Sequence, residues 1–483
     1  MKKISYIIFA SLITFGLFSC KKFLDVTPKT QMPQDVLFST QSGFEDALTG
    51  VYIQMKNNGS YGQALTQTTV EQLISNWDVT ANTTEQRLGL FNFGDEGVLG
   101  RFTTIWGQQY KIISSINAIL GQIDERKNVF TDPLIYNMVK SECLALRAYC
   151  HLDILRLFGP IPSDPSSAPN LPYASVLSTT PQQHISFEEY KSRLLKDLED
   201  AENLIKDKDP IQKYSLSQLK NPGLTSGFNP ENDFIAYRYL RMNYYAIKAL
   251  QARAYLWFGD NDKAFESAKI VIDAKNEGGA DKFRLGTATD FSANKDYVLS
   301  NEQIFGLYSY NLNDSYQSLY ASGVLKKGST ETTIKNTLYG NTGTDIRESG
   351  LWELVTLTNA AKVYIIKKYL SEKNPVLSAD FKQIPMLRLS EMYLIAAETA
   401  PFADGVQYFQ AFRTARNIGN MPAPVDQQAL KNEILKEYRK EFYAEGQAFF
   451  AYKRNNAPRT SITFIPAAAV LNYVLPVPKD ETL

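Results

Sequence analysis

The sequence predicts a mostly α-helical fold in which tetratricopeptide-like helical hairpins form a scaffold, with a loop-rich insertion that contains minor β structure. Three observations support this prediction. Apolar residues recur at helical spacing over long stretches. Residues 252–268 match the small-aromatic-turn-small pattern of a tetratricopeptide unit. Between residues 280 and 380, in contrast, Gly, Asn, Ser and Thr accumulate, as is typical of loops.

The first clear helix has apolar residues on neighbouring turns of one face. They are Phe44, Ala47, Leu48, Val51, Tyr52 and Met55. Ser42 and Glu45 have the spacing of a capping box and predict the start of this helix. Further helices are predicted around residues 106–120 and from Met138 to Phe158, where Gly159-Pro160 ends the pattern.

One helical hairpin has the residue pattern of a tetratricopeptide repeat. Its small, aromatic and turn positions are Ala252, Tyr255, Gly259-Asp260, Ala264 and Ala268. Alanines on both helices let the two backbones approach closely, while the tyrosine fills the gap above them. Because one hairpin cannot bury its face alone, we expect others to stack on it, in residues 138–205 and 389–416. The alternative is an ordinary α domain of unrelated amphipathic helices.

The N-terminus has the order of a bacterial lipoprotein signal. Lys2 and Lys3 precede an apolar run from Ile4 to Phe18, which is shorter than the roughly 20 residues of a spanning helix. Cys20 stands at the cleavage position and resembles a lipobox cysteine, so we expect it to carry the lipid anchor. The alternative is a secretory signal with a chance cysteine.

We therefore expect a signal peptide over residues 1–19 and a single domain over residues 20–483, with loop-rich insertions near 60–100 and 280–380. The 51 basic residues balance 51 acidic ones. This neutral charge gives no electrostatic reason to expect nucleic acid as a partner.

The two remaining cysteines are predicted to be buried thiols. Cys143 and Cys150 lie seven residues apart in a helical pattern, a rise of about 10 Å. A disulfide needs the two Cα atoms within roughly 7 Å.

The sequence nominates no catalytic residue, no metal site and no cofactor. Only two histidines are present, His151 and His184, which nearly excludes a multi-histidine metal site. We expect a structural role for His151. Motifs of serine hydrolases, zinc proteases and P-loop enzymes are missing or incomplete. A glycosidase needs only two carboxylates about 5 to 10 Å apart, so a secreted glycosidase is kept as a less favoured alternative.

Two segments are candidates for ligand binding because sugars stack on aromatic rings and bind amides and carboxylates through their hydroxyls. The first is Asn76-Trp77-Asp78, within the polar stretch of residues 60–100. The second is a tyrosine cluster in the later insertion, made of Tyr308, Tyr310, Tyr316 and Tyr320. The alternative for each aromatic residue is a place in the core. Trp106 and Trp257 are predicted to be core residues, and Trp352 is left open.

Several segments, all in the right order behind the lipobox, resemble the SusD/RagB family of outer-membrane nutrient-binding lipoproteins of the Bacteroidetes. The segments are Phe23-Leu24-Asp25 with Pro28, residues 106–120, Leu146-Arg147-Ala148-Tyr149, Phe158-Gly159-Pro160-Ile161-Pro162, residues 249–256, Asp345 with Arg347, Leu387-Arg388-Leu389-Ser390-Glu391, the charged residues 437–454, and Leu475-Pro476-Val477-Pro478.

The resemblance implies a binding protein that is not an enzyme. Such proteins lie on the outer face of the outer membrane, capture oligosaccharides or sometimes peptides, and cap a SusC-like TonB-dependent transporter. Tyr438, Gln447-Ala448 and Ala451-Tyr452 depart from the family pattern, so the ligand of starch-binding members cannot be transferred to this chain. A peptide-binding receptor remains the alternative, because stacked helical hairpins form a concave surface suited to extended peptides. We expect Arg147 and the charged residues of 437–454 to form ion pairs between helices.

Overall fold

A computed structural model describes residues 33–371 and 382–481. Cys20 and the predicted signal peptide lie outside the described residues. Helices account for 54% of the structure and strands for 7%, which confirms the mostly α fold. The helices are α1 Gln34–Leu37, α2 Gln41–Met55, α3 Thr69–Leu73, α4 Thr84–Gly89, α5 Glu96–Ile123, α6 Pro133–Phe158, α7 Phe187–Ile205, α8 Pro210–Lys213, α9 Leu216–Lys220, α10 Tyr244–Phe258, α11 Asn261–Ile272, α12 Ala288–Ser292, α13 Leu312–Tyr316, α14 Ile346–Leu351, α15 Leu389–Thr399, α16 Phe402–Ala415, α17 Gln427–Glu441 and α18 Gln447–Arg454.

The three predicted hairpins are present and stack in chain order. Helix α6 packs on α7, α10 on α11, and α15 on α16. Between hairpins, α7 packs on α10 and α11 packs on α15. Ala252, Ala264 and Ala268 are fully buried where α10 and α11 meet, and Gly259 ends α10 at a φ of +77°. Close packing of small residues therefore builds the predicted scaffold.

The start of α2 differs from the prediction. Thr40, not Ser42, is the N-cap, and its hydroxyl accepts a hydrogen bond from the Gly43 N–H at 3.2 Å. Glu45 instead accepts hydrogen bonds from the Gln41 and Asn232 amides. These side-chain contacts occupy the carboxylate that a capping box would use.

The strands form small antiparallel pairs beside the helical stack. They are β1 Leu171–Pro172 with β2 His184–Ile185, β3 Gln303–Tyr308 with β6 Gln383–Arg388, and β4 Trp352–Thr356 with β5 Lys362–Ile366. The minor β structure predicted within the loop-rich insertion is therefore confirmed. Because β6 leads directly into α15, the β3–β6 pair joins the insertion to the third hairpin.

A buried network of charges fastens the insertion to the C-terminal helices. Arg388 pairs with Glu302, Glu441 and Glu445, and Arg416 also pairs with Glu302 and Glu441. All five side chains are buried, so each charge depends on its partners. The expected interhelical ion pairs of the charged segment are thereby confirmed.

Arg147 and Glu437 show the same principle at single residues. The Arg147 guanidinium on α6 makes two hydrogen bonds of 2.7 Å to the Asp197 carboxylate on α7. Burial alone would raise the pKa of Glu437, but Arg347 and Lys440 outweigh it and hold that pKa at about 2. The Arg147–Asp197 pair joins α6 to α7, and the Arg347–Glu437 pair joins α14 to α17. Both ion pairs hold two helices together, as expected.

The remaining sequence predictions about the core are also met. Trp106 and Trp257 are buried, and so is Trp352. Cys143 and Cys150 are buried free thiols on α6. Within residues 33–371 and 382–481, no helix has both the length and the apolar character that crossing a bilayer requires.

Candidate functional site

A cavity of about 240 Å³ opens between α4, the start of α5 and residues 319–325. We call it the α4 cavity. Trp77, Leu88, Leu319 and Leu325 give it an apolar side. The polar side carries amides, hydroxyls and charges from Gln63, Thr68, Gln72, Thr84, Glu85 and Arg101. The two predicted loop-rich insertions thus meet at one place.

Caps at the starts of α4 and α5 fix the polar rim of the cavity. Thr83 accepts a hydrogen bond from the Gln86 N–H, and Asp95 accepts one from the Val98 N–H. With both helices fixed, Arg101 on α5 donates to the Glu85 carboxylate on α4 at 2.6 Å. The two side chains are about half exposed, 51% and 44%. The pair is therefore open to a ligand from the solvent side.

Trp77 lies at the floor of the α4 cavity and not on an exposed platform. Its indole N–H donates to the Gln67 carbonyl at 2.7 Å. Its ring packs edge-on against Tyr320 and Tyr443, at centroid distances of 5.8 and 5.1 Å. Only 3% of the residue is exposed. In this structure Trp77 supports the cavity, and its contact with a ligand stays a prediction.

The neighbours of Trp77 tie its loop to other segments. Asn76 is fully buried and donates from its amide to the Glu71 carboxylate. Asp78 is exposed but accepts from the Gly328 N–H and forms a 3.0 Å ion pair with Lys327. Both side chains therefore act as anchors of the loop, and their predicted role as ligand contacts stays untested.

Three buried oxygens near the cavity have no hydrogen-bond partner among the described residues. They are Gln72 Oε1, Ser75 Oγ and Asn76 Oδ1. A side chain at Gly89 would bring a Cβ within 2.9 Å of both the Gln72 amide nitrogen and Ser75 Oγ, so glycine lets α4 approach them closely. Buried oxygens usually have a hydrogen-bond partner, and of these three residues only Gln72 lines the cavity.

Burial changes the acidity of one carboxyl beneath the cavity. Glu71 on α3 is fully buried, and burial raises its pKa to about 7. Hydrogen bonds from Asn76 and from the Gly446 N–H oppose that rise. A carboxyl in this position links the cavity loop to the turn before α18.

The structure divides the predicted tyrosine cluster into two parts. Tyr316 and Tyr320 are buried, and the Tyr320 hydroxyl donates to Gln67 Oε1 at 3.0 Å beside Trp77. Tyr308 and Tyr310 are 37% and 63% exposed. Tyr310 packs its ring under the Lys382 ammonium at 4.1 Å. Of the four tyrosines in the predicted cluster, Tyr308 and Tyr310 present their rings to solvent.

Sequence reasoning did not identify the charged rim of the cavity. Glu85 and Arg101 lie on different helices, 16 residues apart, so no spacing within one helix relates them. Gln72 lies in a short polar stretch without a motif. The polar composition of residues 60–100 was the one sequence feature that indicated this site. It predicted the region but not the individual residues.

The described part of the chain holds no group of three or more His, Cys, Asp or Glu side chains suited to a metal ion. His151 lies in the core between the Tyr190 hydroxyl and the Ala174 carbonyl. Burial lowers its pKa to about 3, so the ring is neutral and structural. The predicted structural role of this histidine is confirmed.

A stack of helical hairpins that carries a loop-built cavity is the architecture of a helical-repeat binding protein. Comparison with known families makes this assignment specific. A model described as "Starch-binding associating with outer membrane" matches residues 22–218, and the SusD family model matches residues 248–464. The chain belongs to the SusD/RagB family, whose members are non-catalytic binding proteins.

Two curated relatives come from Formosa agariphila. SusD-like protein P2 is 22% identical over 94% of this chain and 91% of its own length. SusD-like protein P25 is 24% identical over 33% of this chain, and the match spans 31% of that relative.

Solved structures share the fold at low identity. A SusD superfamily protein from Bacteroides thetaiotaomicron has a TM-score of 0.68 and 20% identity, covering 92% of this chain and 97% of that one. A protein from Bacteroides vulgatus described as a SusD-like carbohydrate binding protein has a TM-score of 0.64 and 19% identity, covering 86% and 83%. At this identity the likeness establishes the fold.

Proposed function

We propose that the chain is a cell-surface nutrient-binding lipoprotein that captures an oligosaccharide in the α4 cavity and delivers it to a SusC-like TonB-dependent transporter. The observation that carries the proposal is the two-sided lining of the cavity. Trp77, Leu88 and Leu325 form an apolar floor opposite the Glu85–Arg101 pair and the amides of Gln63 and Gln72.

This lining suits the chemistry of a sugar. The C–H face of a pyranose ring is apolar and packs on aliphatic and aromatic side chains. Its hydroxyls need both donors and acceptors, which Arg101, Glu85 and the amides supply. The unpartnered Gln72 Oε1 adds an acceptor, since it is buried without a described donor. Binding would therefore satisfy groups that the protein leaves open.

The comparisons support a carbohydrate ligand. One matching family model is described as starch-binding, and one related structure is described as carbohydrate binding. These descriptions concern the relatives. They favour sugars over peptides for this chain without naming the sugar.

Association with the outer membrane, given in the description of the same family model, fits a lipid anchor at Cys20. We infer that residues 1–19 are removed and that residues 20–483 form one domain held by that lipid. Replacement Cys20→Ser should release the protein from the membrane fraction and abolish labelling by a clickable fatty acid. Labelling that persists in the variant would contradict the anchor.

The transporter step has its own test. Affinity purification of the tagged protein from gently solubilised outer membranes should recover a TonB-dependent transporter in near-equal amount. Recovery of the protein alone, from membranes in which such transporters are detected, would contradict delivery to a transporter while leaving sugar binding standing.

Calorimetric titration tests the binding site. The chain from Lys21 onward is titrated with a panel of soluble oligosaccharides, and Arg101→Ala is compared with Arg193→Ala. Arg193 is a matched control because its ion pair with Glu189 is also 2.6 Å long and has similar exposure, 43% and 48%. We expect wild type to bind a sugar. Arg101→Ala should weaken this binding about tenfold or more, because one charged hydrogen bond is lost. Arg193→Ala should leave the binding intact.

Other outcomes are equally informative. If the titration gives a heat of binding with peptides but with none of the sugars, the proposed class of ligand changes from sugars to peptides. Equal sugar binding in wild type and Arg101→Ala would remove the ligand from the α4 cavity.

A further inference from the structure

A second cavity, of about 430 Å³, lies between the end of α2, residues 233–241 and β3. We call it the α2 groove. Its walls are mostly apolar or aromatic, from Tyr52, Ile53, Phe234, Tyr237, Leu307 and Tyr308. It shares no lining residue with the α4 cavity, so the sugar site does not account for it.

The groove holds apolar side chains open to solvent. Ile53 is 59% exposed and Tyr237 is 46% exposed. Tyr237 also has a φ of +55°, a left-handed conformation that is unfavourable for a residue with a side chain. The next residue, Arg238, is fully buried between Glu142 and Asp209. The strained turn thus buries the arginine and keeps the tyrosine ring at the mouth of the groove.

The charges at the base of the groove are already matched. Arg241 lines the groove, but two of its nitrogens donate to the Glu142 carboxylate, at 3.1 and 2.6 Å. Glu142 is itself fully buried and shared with Arg238. Two guanidinium groups therefore face two carboxylates, those of Glu142 and Asp209. Both guanidinium groups at the base are therefore paired and are not available to a ligand.

Lys56 differs from these residues. It lines the groove at the end of α2, it is half-buried, and it forms no ion pair with a carboxylate among the described residues. Burial lowers the pKa of its ammonium group, because the charge is partly desolvated. Asp233 lies exposed on the rim and does not pair with Lys56. An anion beside Lys56 would compensate the buried charge.

We propose that the α2 groove is a second binding site, for a small carboxylate with an aromatic or apolar body, in which Lys56 holds the carboxylate. Tyr237 and Tyr308 pack against the body of the ligand, whose burial provides most of the affinity. The lysine provides the selectivity for an acid over its neutral analogue, because a charged hydrogen bond in a partly buried site is strong.

The test compares trans-cinnamate with cinnamamide, which has the same ring and chain without the charge. Binding of each to the chain from Lys21 onward is measured by calorimetry. Wild type should bind cinnamate about tenfold more tightly than cinnamamide. Lys56→Met should reduce this preference to about one, while Lys56→Arg keeps it. Lys111→Met, at an exposed position on α5, is the control and should keep it as well.

Lys56 also ends a helix, where a cation is stabilising in itself. That structural role predicts a lower melting temperature for Lys56→Met but no change in the ratio of the two affinities. A wild-type ratio near one, or a ratio that Lys56→Met leaves unchanged, would overturn the assignment of Lys56. Absence of saturable binding of either compound would overturn the site.

A second variant locates the ligand. Tyr237→Gly relieves the left-handed conformation, so it should raise the melting temperature. Because it also removes the ring, it should weaken the binding of both compounds several-fold. Unchanged affinities in Tyr237→Gly would contradict binding in the groove. Failure of these tests would leave the sugar proposal intact, since the two sites share no residue.

Discussion

The backbone N–H of Gly446 donates a hydrogen bond to Glu71 Oε1 at 2.7 Å, across 375 positions of sequence. It joins α3, beneath the α4 cavity, to the turn between α17 and α18. Gly446 has a φ of +75°, and a Cβ at this position would lie 1.9 Å from the Leu65 carbonyl oxygen. The cavity loop is thus fixed to the C-terminal helices at a point that only glycine fits.

Gly446→Ala should therefore strongly destabilise the protein. The left-handed conformation costs alanine about 1–2 kcal/mol, and the contact with the Leu65 carbonyl forces the backbone to move as well. Gly259→Ala is the matched control, because Gly259 has a φ of +77° with nothing within 4 Å of the new Cβ. Urea unfolding should give a clearly larger loss of unfolding free energy for Gly446→Ala. Equal losses would contradict the tight contact.

The carboxyl of Glu71 should make stability fall as the pH rises. Burial raises its folded-state pKa to about 7, from an ordinary value of 4.5. The folded state therefore holds the proton that the unfolded state has released, and this contribution, at most about 3 kcal/mol, is lost between pH 4.5 and 7. Glu71→Gln, which mimics the protonated form, should gain stability relative to wild type over this range. Parallel stability curves for the two proteins would contradict the raised pKa.

Replacement of Glu441 should destabilise the protein more than replacement of most other charged residues. Its carboxylate accepts hydrogen bonds from Arg388 at 2.8 Å, Arg416 at 2.7 Å and Arg347 at 3.0 Å. Glu441→Gln leaves buried guanidinium groups without their counter-charge, at a cost of about 3–5 kcal/mol. The surface change Glu189→Gln should cost about 0–1 kcal/mol. Thermal or urea unfolding measures both, and similar effects would show that the buried network contributes little.

Replacement of Trp77 should lower the free energy of unfolding, whatever its effect on ligand binding. Trp77→Ala removes a buried indole that packs on Tyr320 and Tyr443, with an expected loss of about 3–5 kcal/mol. Tyr310→Ala, at a 63% exposed ring, should change stability by less than about 0.5 kcal/mol. Denaturant unfolding separates the two cases. A Trp77→Ala variant as stable as wild type would contradict the role of this ring as the floor of the cavity.

The helical scaffold was predictable because its signal is local. Ala252, Ala264 and Ala268 lie at repeat spacing, and their burial between α10 and α11 follows from that spacing. The N-cap of α2 was misplaced because Ser42 and Thr40 both suit a cap, and only tertiary contacts of Glu45 decide between them.

The candidate site was less predictable because it depends on residues distant in sequence. The polar composition of residues 60–100 predicted the region of the site. Whether an aromatic ring in that region faces the core or the solvent depends on its packing, which composition does not show. Trp77 turns inward because Gln67 accepts from its indole and Tyr443, 366 positions later, covers it. The Glu85–Arg101 rim likewise exists only once α4 lies beside α5.

Binding of a sugar in the α4 cavity is tested most directly by a crystal structure with the oligosaccharide that binds best in calorimetry. We expect electron density for a sugar ring in the α4 cavity, over Leu88 and Leu325, with hydroxyls hydrogen-bonded to Arg101 and Glu85. Density for the oligosaccharide at any other surface, with an empty α4 cavity, would contradict it.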